Sequence, residues 1–240
     1  MMLELFLRLF CAHLLADFFL QNKWMCDNKK KINKAKGWLV HILHGIIHAL
    51  TAYLLVADWT CWFVPTVLFV SHFIIDVCKS VVSKDGICAF IIDQIVHVAV
   101  LIGVCRMGAD SVVLSELLCN KFWVLAVSYL LILKPSSIFV NKFCVQLKNF
   151  KTNYSEIENM NLSLPQGGMY IGCLERIMIV TFIMAGCMEG IGFLLAAKSV
   201  FRFGDLQNKN EVQNTEYVLI GTFLSFSVAI VVGLLAREII

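Results

Sequence analysis

Long apolar stretches, each about the length of a membrane-crossing helix, follow one another along the whole chain. They cover residues 3–20, 38–57, 60–79, 87–106, 121–140, 169–197 and 217–236. About 20 apolar residues in helical form cross the hydrocarbon core of a bilayer. The pattern therefore predicts an all-α, polytopic membrane bundle with six to seven transmembrane helices. Lys134 and Pro135 interrupt the fifth stretch, which predicts either a kinked span or a shorter span followed by an interfacial helix.

The composition agrees with this class. Apolar residues make up 59% of the chain and charged residues only 15%, and the mean hydropathy is +0.79. Soluble domains are normally less apolar and carry more charge. The net charge of +3 gives no indication of a nucleic-acid partner, so membrane lipids are the expected surroundings.

Positive charges are distributed unevenly between the loops. Alternate loops, counted with the C-terminal end, hold 12 Lys and Arg residues against 5 on the opposite side, and six of the 12 are lysines between Lys23 and Lys36. Cytoplasmic loops of multi-pass proteins are enriched in Lys and Arg. We therefore expect an inner-membrane protein whose first loop faces the cytoplasm.

All six histidines lie in the first 97 residues, where they recur with three aspartates inside four of the apolar stretches. The sets are His13-x3-Asp17, His41-x2-His44-x3-His48, His72-x3-Asp76 and Asp93-x3-His97. Spacings of three or four residues place each set on one face of a helix. Imidazole and carboxylate groups are costly inside a membrane unless they are paired or bound, so the pattern predicts a functional site.

The depth of these residues points to a single site. Because consecutive helices alternate in direction, the four sets fall in one layer, roughly 5 to 15 Å from the same helix ends at about 1.5 Å per residue. The two hairpins carry related patterns, H-x3-D with H-x3-H and H-x3-D with D-x3-H, like the dinuclear sites of four-helix bundles. The sequence thus predicts a metal-binding core over residues 1–106 with the ligands His13, Asp17, His44, His48, His72, Asp76, Asp93 and His97. His41 and Lys79 are expected to support it and to lie outside the ligand set.

The remaining chain is divided into a connecting helix and polar loop over residues 107–168 and C-terminal transmembrane helices over residues 169–240. Glu175 and Arg176 inside the sixth apolar stretch need partners, and Glu189 or polar groups of the metal core are the candidates. The ten cysteines contain no C-x-x-C pair, so we interpret them as packing residues.

The ligand types narrow the choice of ion and of chemistry. Imidazole and carboxylate without thiolate suit a divalent transition metal, with Zn as first choice and Mn or Fe as alternatives. Two such ions beside three aspartates leave a positive net charge at the site. A pair of metal ions can hold a phosphate while activating water. We therefore expect a metal-dependent hydrolase of a phosphoester, such as an anionic lipid or a lipid-linked phosphate. A metal-ion or proton transporter and a di-iron membrane oxidase or hydroxylase remain open as alternatives.

Several runs of the chain resemble a bacterial integral membrane family catalogued as a domain of unknown function. They are HLLADFFLQ at 13–21, SHFIIDVCK at 71–79, DQIVH at 93–97, GCLER at 172–176, AKSVFRF at 197–203 and EYVLIGT at 216–222. The histidine and aspartate helices also resemble, more distantly, membrane-bound metal-dependent hydrolases grouped with the all-helical zinc phospholipases C. That resemblance implies a zinc hydrolase. This chain lacks the H-x3-E element of those enzymes, so their ligands are not carried over residue by residue.

Overall fold

The computed structural model describes residues 2–30, 34–82, 86–108, 120–151, 167–203 and 212–240, and within these ranges it consists of helices and turns. The helices are α1 (Met2–Leu14), α2 (Lys23–Lys29), α3 (Ala35–Val56), α4 (Phe63–Val82), α5 (Ile87–Gly108), α6 (Asn120–Ile132), α7 (Lys134–Lys151), α8 (Gly167–Met184), α9 (Glu189–Phe203) and α10 (Val212–Ile239). A π-helical turn, Leu15–Leu20, continues α1. The predicted all-α fold is confirmed.

Six helical stretches of the described chain are long and apolar enough to cross a membrane. They are Ala35–Val56, Phe63–Val82, Ile87–Gly108, Asn120–Leu147, Gly167–Met184 and Leu219–Ile239. Helix α1 has 13 residues and is not one of them, although the π-helical turn carries the helical path on to Leu20. These six helices are those of a multi-pass membrane protein.

The chain forms two compact units, Met1–Leu130 and Leu131–Ile240. In the first, α1 packs against α3 and α5, and α4 packs against the same two helices, so the predicted four-helix core is present. One end of this bundle is filled by an apolar cluster. It consists of Leu5, Leu9, Ala12, Ala52, Val56, Val64, Leu68, Leu101, Val104 and Cys105.

Helices α3 and α4 approach each other closely at Gly45. A Cβ atom at this position would lie 3.1 Å from the ring of Phe69, so any larger residue would displace that ring. Small residues allow membrane helices to pack with their backbones close together. Since Gly45 adjoins His44, this contact brings the polar face of α3 against α4.

Arg8 is a buried charge that the sequence analysis did not single out. Its guanidinium pairs with Glu4 at 2.5 Å and donates to the Val56 carbonyl at 3.0 Å. It also lies 5.2 Å from the ring centre of Trp123. A cation at the carbonyl end of a helix is favourable, and α3 ends directly after Val56, at Ala57. Arg8 therefore ties the end of α3 to α1.

The interruption predicted in the fifth apolar stretch is a single residue, Leu133, between α6 and α7. Pro135 has no N–H group, and the Ser136 hydroxyl donates instead to the Leu131 carbonyl at 2.7 Å. Arg176 of α8 donates through Nε to the Ile132 carbonyl at 2.5 Å and through Nη2 to the Leu133 carbonyl at 3.3 Å. Side chains thus satisfy carbonyls at the break, and α7 begins at the next residue, Lys134.

The prediction of one helix over residues 169–197 is wrong. The chain turns at residues 185–188, where Gly186 adopts a φ of 73°, in the left-handed region that favours glycine. This turn brings Lys198 of α9 back to Glu175 of α8, with 2.6 Å between Nζ and Oε2. The expected partners of Glu175 and Arg176 are therefore also corrected. Glu175 pairs with Lys198, and Arg176 donates to the carbonyls at the helix break. Residues 152–166 of the predicted polar loop lie outside the described chain.

We predict that Arg176→Met lowers the free energy of unfolding by about 2 to 4 kcal/mol, because buried carbonyls at the helix break lose their donors. The measurement is denaturation of the purified protein in detergent micelles. Arg237→Met is the matched control, since Arg237 is exposed near the end of α10 and the same charge is removed. Equal destabilisation by the two substitutions would contradict this role for Arg176.

Candidate metal centre

Asp17 forms the centre of a cluster of buried imidazoles. Its Oδ1 atom lies 2.8 Å from Nε2 of His48, 3.0 Å from Nε2 of His44 and 3.5 Å from Nε2 of His72, while Oδ2 lies 3.7 Å from Nε2 of His13. These side chains come from α1, α3 and α4. The π-helical turn that carries Asp17 is wider than an α-helical turn, and such turns are frequent at functional sites.

The histidine rings also pack against one another. The ring centres of His48 and His72 are 3.5 Å apart, those of His72 and His97 are 4.4 Å apart, and those of His13 and His97 are 5.1 Å apart. Rings at these distances cannot all carry a positive charge without strong repulsion. The cluster brings several imidazoles, the commonest metal ligands in proteins, close together around one carboxylate.

Two overlapping groups of side chains have the spacing of metal ligands. In the first, one donor atom from each of His13, Asp17, His48 and His72 lies within 4.8 Å of the others, and in the second the same holds for His44, His72 and Asp76. Both groups contain His72. The described residues thus form two groups that share a ligand, whereas the sequence predicts eight different ligands for two ions.

Buried ring nitrogens in this cluster lack hydrogen-bond partners within the described part of the chain. They are Nδ1 of His44, Nε2 of His72 and Nε2 of His97. A buried polar atom without a partner costs about 1 to 3 kcal/mol, which a bound ion or water would remove. A cavity of about 20 Å³ adjoins His13, His48, His72 and His97, which is room for one water-sized species. The donor types and the unsatisfied nitrogens therefore fit a divalent ion.

Asp76 has an internal cation as its partner. The ammonium of Lys29, on the short helix α2, donates to Asp76 Oδ2. His41 Nδ1 lies 3.5 Å from the same oxygen, and His41 Nε2 lies 3.3 Å from the Ser80 hydroxyl. His41 thus lies beside a predicted ligand, the position expected of a supporting residue.

Asp93 lies in neither ligand group. Its Oδ2 atom accepts from Lys79 Nζ at 2.6 Å and from Gln94 Nε2 at 3.2 Å. The Gln94 carbonyl oxygen lies 3.3 Å from Nε2 of His13, so Gln94 connects Asp93 to the cluster. The main-chain carbonyl of Asp93 accepts from Nδ1 of His97 at 2.8 Å, which leaves Nε2 of that ring with its lone pair.

Sequence reasoning missed Lys29 and Gln94. In the sequence Lys29 is one of six lysines of the first loop that indicate membrane orientation, although a buried aspartate on a neighbouring helix requires a cation. Gln94 adjoins a predicted ligand, and its amide can bridge a carboxylate and an imidazole. In both cases the signal in the sequence was a carboxylate inside an apolar stretch, because such a carboxylate requires a hydrogen-bond donor.

The helices that carry the cluster lie within the region of the chain that matches a known family. The family model described as "Protein of unknown function (DUF3307)" matches residues 5–127, just over half of the chain. The match includes all eight predicted ligands. No curated protein and no solved structure matches the chain. The chain belongs to the DUF3307 family.

Proposed function

We propose that this protein is a membrane-embedded, metal-dependent hydrolase that acts on a phosphoester. The observation that carries the proposal is the cluster around Asp17, in which buried imidazoles from several helices face one carboxylate. Such ligands suit zinc first, and Mn or Fe as alternatives. The first ligand group, with His13, Asp17, His48 and His72, is the set that would hold the ion. The second group shares His72 with it, so a second ion would compete for that ring.

The surroundings of the cluster favour an enzyme over a transporter. The cavity beside the histidines is bounded on its other side by apolar residues, among them Leu9, Ala52, Leu68 and Leu101. Beyond these the buried Arg8 is neutralised by Glu4. Transporters place ions where both faces of the membrane can be reached. Access to the cluster from the apolar end of the bundle would require this packing to open.

Exposed tryptophans support a position of the cluster just below one membrane interface. Trp24 and Trp38 are exposed near the start of α3, and Trp59 and Trp62 are exposed beyond its end. Tryptophans are enriched at both interfaces of a bilayer. His41 follows Trp38 by less than one turn, so the ligands lie nearer to the first pair. The lysine-rich first loop lies at the same end, and we assign it to the cytoplasmic side of a bacterial inner membrane.

Two lysines give this end of the bundle its affinity for an anion. Lys29 pairs with Asp76 and Lys79 with Asp93, so both ammonium groups lie at the edge of the cluster. The Lys79 side chain is 47% exposed, whereas Asp93 is 5% exposed, so Lys79 can also contact a molecule from outside. We place the cluster just below a membrane interface, and lipid phosphates lie at that interface. We infer that an anionic lipid or a lipid-linked phosphate is the substrate class.

The roles of the chain's own residues follow from this placement. A divalent ion, when bound, would polarise a phosphoryl oxygen and make water a stronger nucleophile at neutral pH. Lys79 would bind the negative charge of the phosphate. His97, held through Nδ1 by the Asp93 carbonyl, can hold a proton at Nε2. The apolar end of the bundle keeps bulk water away from the cluster.

We predict that Asp17→Asn and His48→Ala each lower the affinity for zinc by at least about tenfold, because each removes a donor of the first ligand group. Inductively coupled plasma mass spectrometry of zinc-reconstituted protein, with a binding titration, measures the effect. Cys105→Ala is the control, since Cys105 is buried in the same unit but belongs to neither ligand group. If all three variants lost zinc to the same extent, general fragility would explain the result and the assignment of ligands would be wrong.

We also predict that the zinc-loaded protein in liposomes releases phosphate or a phosphorylated head group from an anionic phospholipid. Lys79→Met should raise KM by about tenfold with a smaller change in kcat, because a charge-assisted contact to the substrate is lost. Asp17→Asn should abolish release.

Metal flux is measured in the same proteoliposomes. Flux through the parent protein that disappears in Asp17→Asn, without hydrolysis of any phospholipid or phosphodiester tested, would replace the enzyme proposal with the transporter.

A further inference from the structure

The two ligand groups differ in what neutralises their carboxylate. The contacts described for Asp17 are to imidazoles. Asp76, in the second group, already holds the ammonium of Lys29 on Oδ2. A carboxylate buried in apolar surroundings needs a cation or several hydrogen-bond donors. For Asp76 this cation is Lys29.

Lys29 is held in place by its own helix. The side chain is only 8% exposed, and in the amide orientation that satisfies both groups Gln21 Oε1 accepts from Lys29 Nζ at 2.7 Å. Helix α2 is capped by Asn22, whose side chain accepts from the Met25 N–H at 2.9 Å, and Met25 itself is buried. The ammonium is therefore positioned by a short, anchored helix.

A divalent ion in the second group would meet this ammonium directly. It would have to share the Asp76 carboxylate with Lys29, and two cations bound to one carboxylate repel each other strongly where water is scarce. The first group has no such competitor on its carboxylate among the contacts described. We propose that Lys29 is an internal cation that prevents a divalent ion from binding to the His44–His72–Asp76 group. The ion therefore binds to the Asp17 group. This inference rests on the proposed metal centre and specifies which of its two groups is filled.

The test is whether removal of Lys29 opens the second group once the first is disabled. Asp17→Asn removes the only carboxylate of the first group. The double variant Asp17→Asn/Lys29→Met then frees Asp76, with the same net charge as the parent. The matched control is Asp17→Asn/Lys79→Met, which makes the same change of charge but frees Asp93, a residue in neither group.

Zinc titration of the three variants and the parent gives the result. We expect the Lys29 double variant to bind zinc at least about tenfold more tightly than Asp17→Asn alone or the Lys79 double variant, which corresponds to about 1.4 kcal/mol. Lys29→Gln serves as a second substitution, because its amide still donates to Asp76 but carries no charge. With either substitution, the regained ion should be lost again when Asp76→Asn is added.

Equal zinc affinity in the Lys29 and Lys79 double variants, while the parent binds one ion, would overturn the inference and leave the first ligand group in place. Full zinc retention by Asp17→Asn with Lys29 present would also overturn it, since the ion would then not need the first group. A parent protein without any affinity for zinc would overturn the proposed metal centre and the inference together.

Discussion

The arrangement of the first unit depends on one carboxylate, that of Asp17, which lies among buried imidazoles in an apolar helical bundle with only 11% of its side chain exposed. A charge in such a place is stable only with donors or cations around it, and the donors here come from histidines of neighbouring helices. The bundle must therefore hold α1, α3 and α4 at fixed depth relative to one another. The contact between Gly45 and Phe69, beside His44, and the contact of Arg8 with the end of α3 contribute to this.

The three aspartates of the cluster, of which Asp76 and Asp93 are buried and Asp17 is partly buried, have different partners. Asp76 and Asp93 each take an ammonium group from a lysine near the helix ends. Asp17 takes imidazoles, which can give up their contacts to a metal ion without leaving a positive charge behind. This difference supports the proposal that the divalent ion binds beside Asp17 and that an anion binds near the lysines.

Much of the fold could be predicted from the sequence, because the length of an apolar stretch and the spacing of its polar residues reflect local geometry. The class of protein, the four-helix core and the common depth of its histidines followed from that. The break at residues 185–188 could not be predicted in this way. Hydropathy averaged over the length of a membrane span changes little at a short turn, and it carries no information on the left-handed conformation of Gly186. The interruption at Leu133 was visible through Pro135, but the role of Arg176 there depends on packing between distant segments.

The candidate site was predicted less completely than the fold. Helical spacing placed His13 and Asp17 on one face, but the π-helical turn, which sets how Asp17 meets α3 and α4, has no clear sequence signal. Lys29 lies on a separate short helix, and its approach to Asp76 over 47 positions of the chain is a tertiary contact. The enrichment of Lys and Arg in cytoplasmic loops explains a lysine at this position equally well. The sequence alone therefore could not distinguish a signal of membrane orientation from a partner of Asp76.

The most direct test of the metal centre is anomalous diffraction at the zinc edge from crystals of the zinc-loaded parent protein. We expect a peak between Asp17, His48 and His72, about 2.0 to 2.1 Å from the ligating imidazole nitrogens. An absence of anomalous density at Asp17, with zinc found only at surface groups or at cysteines, would contradict it.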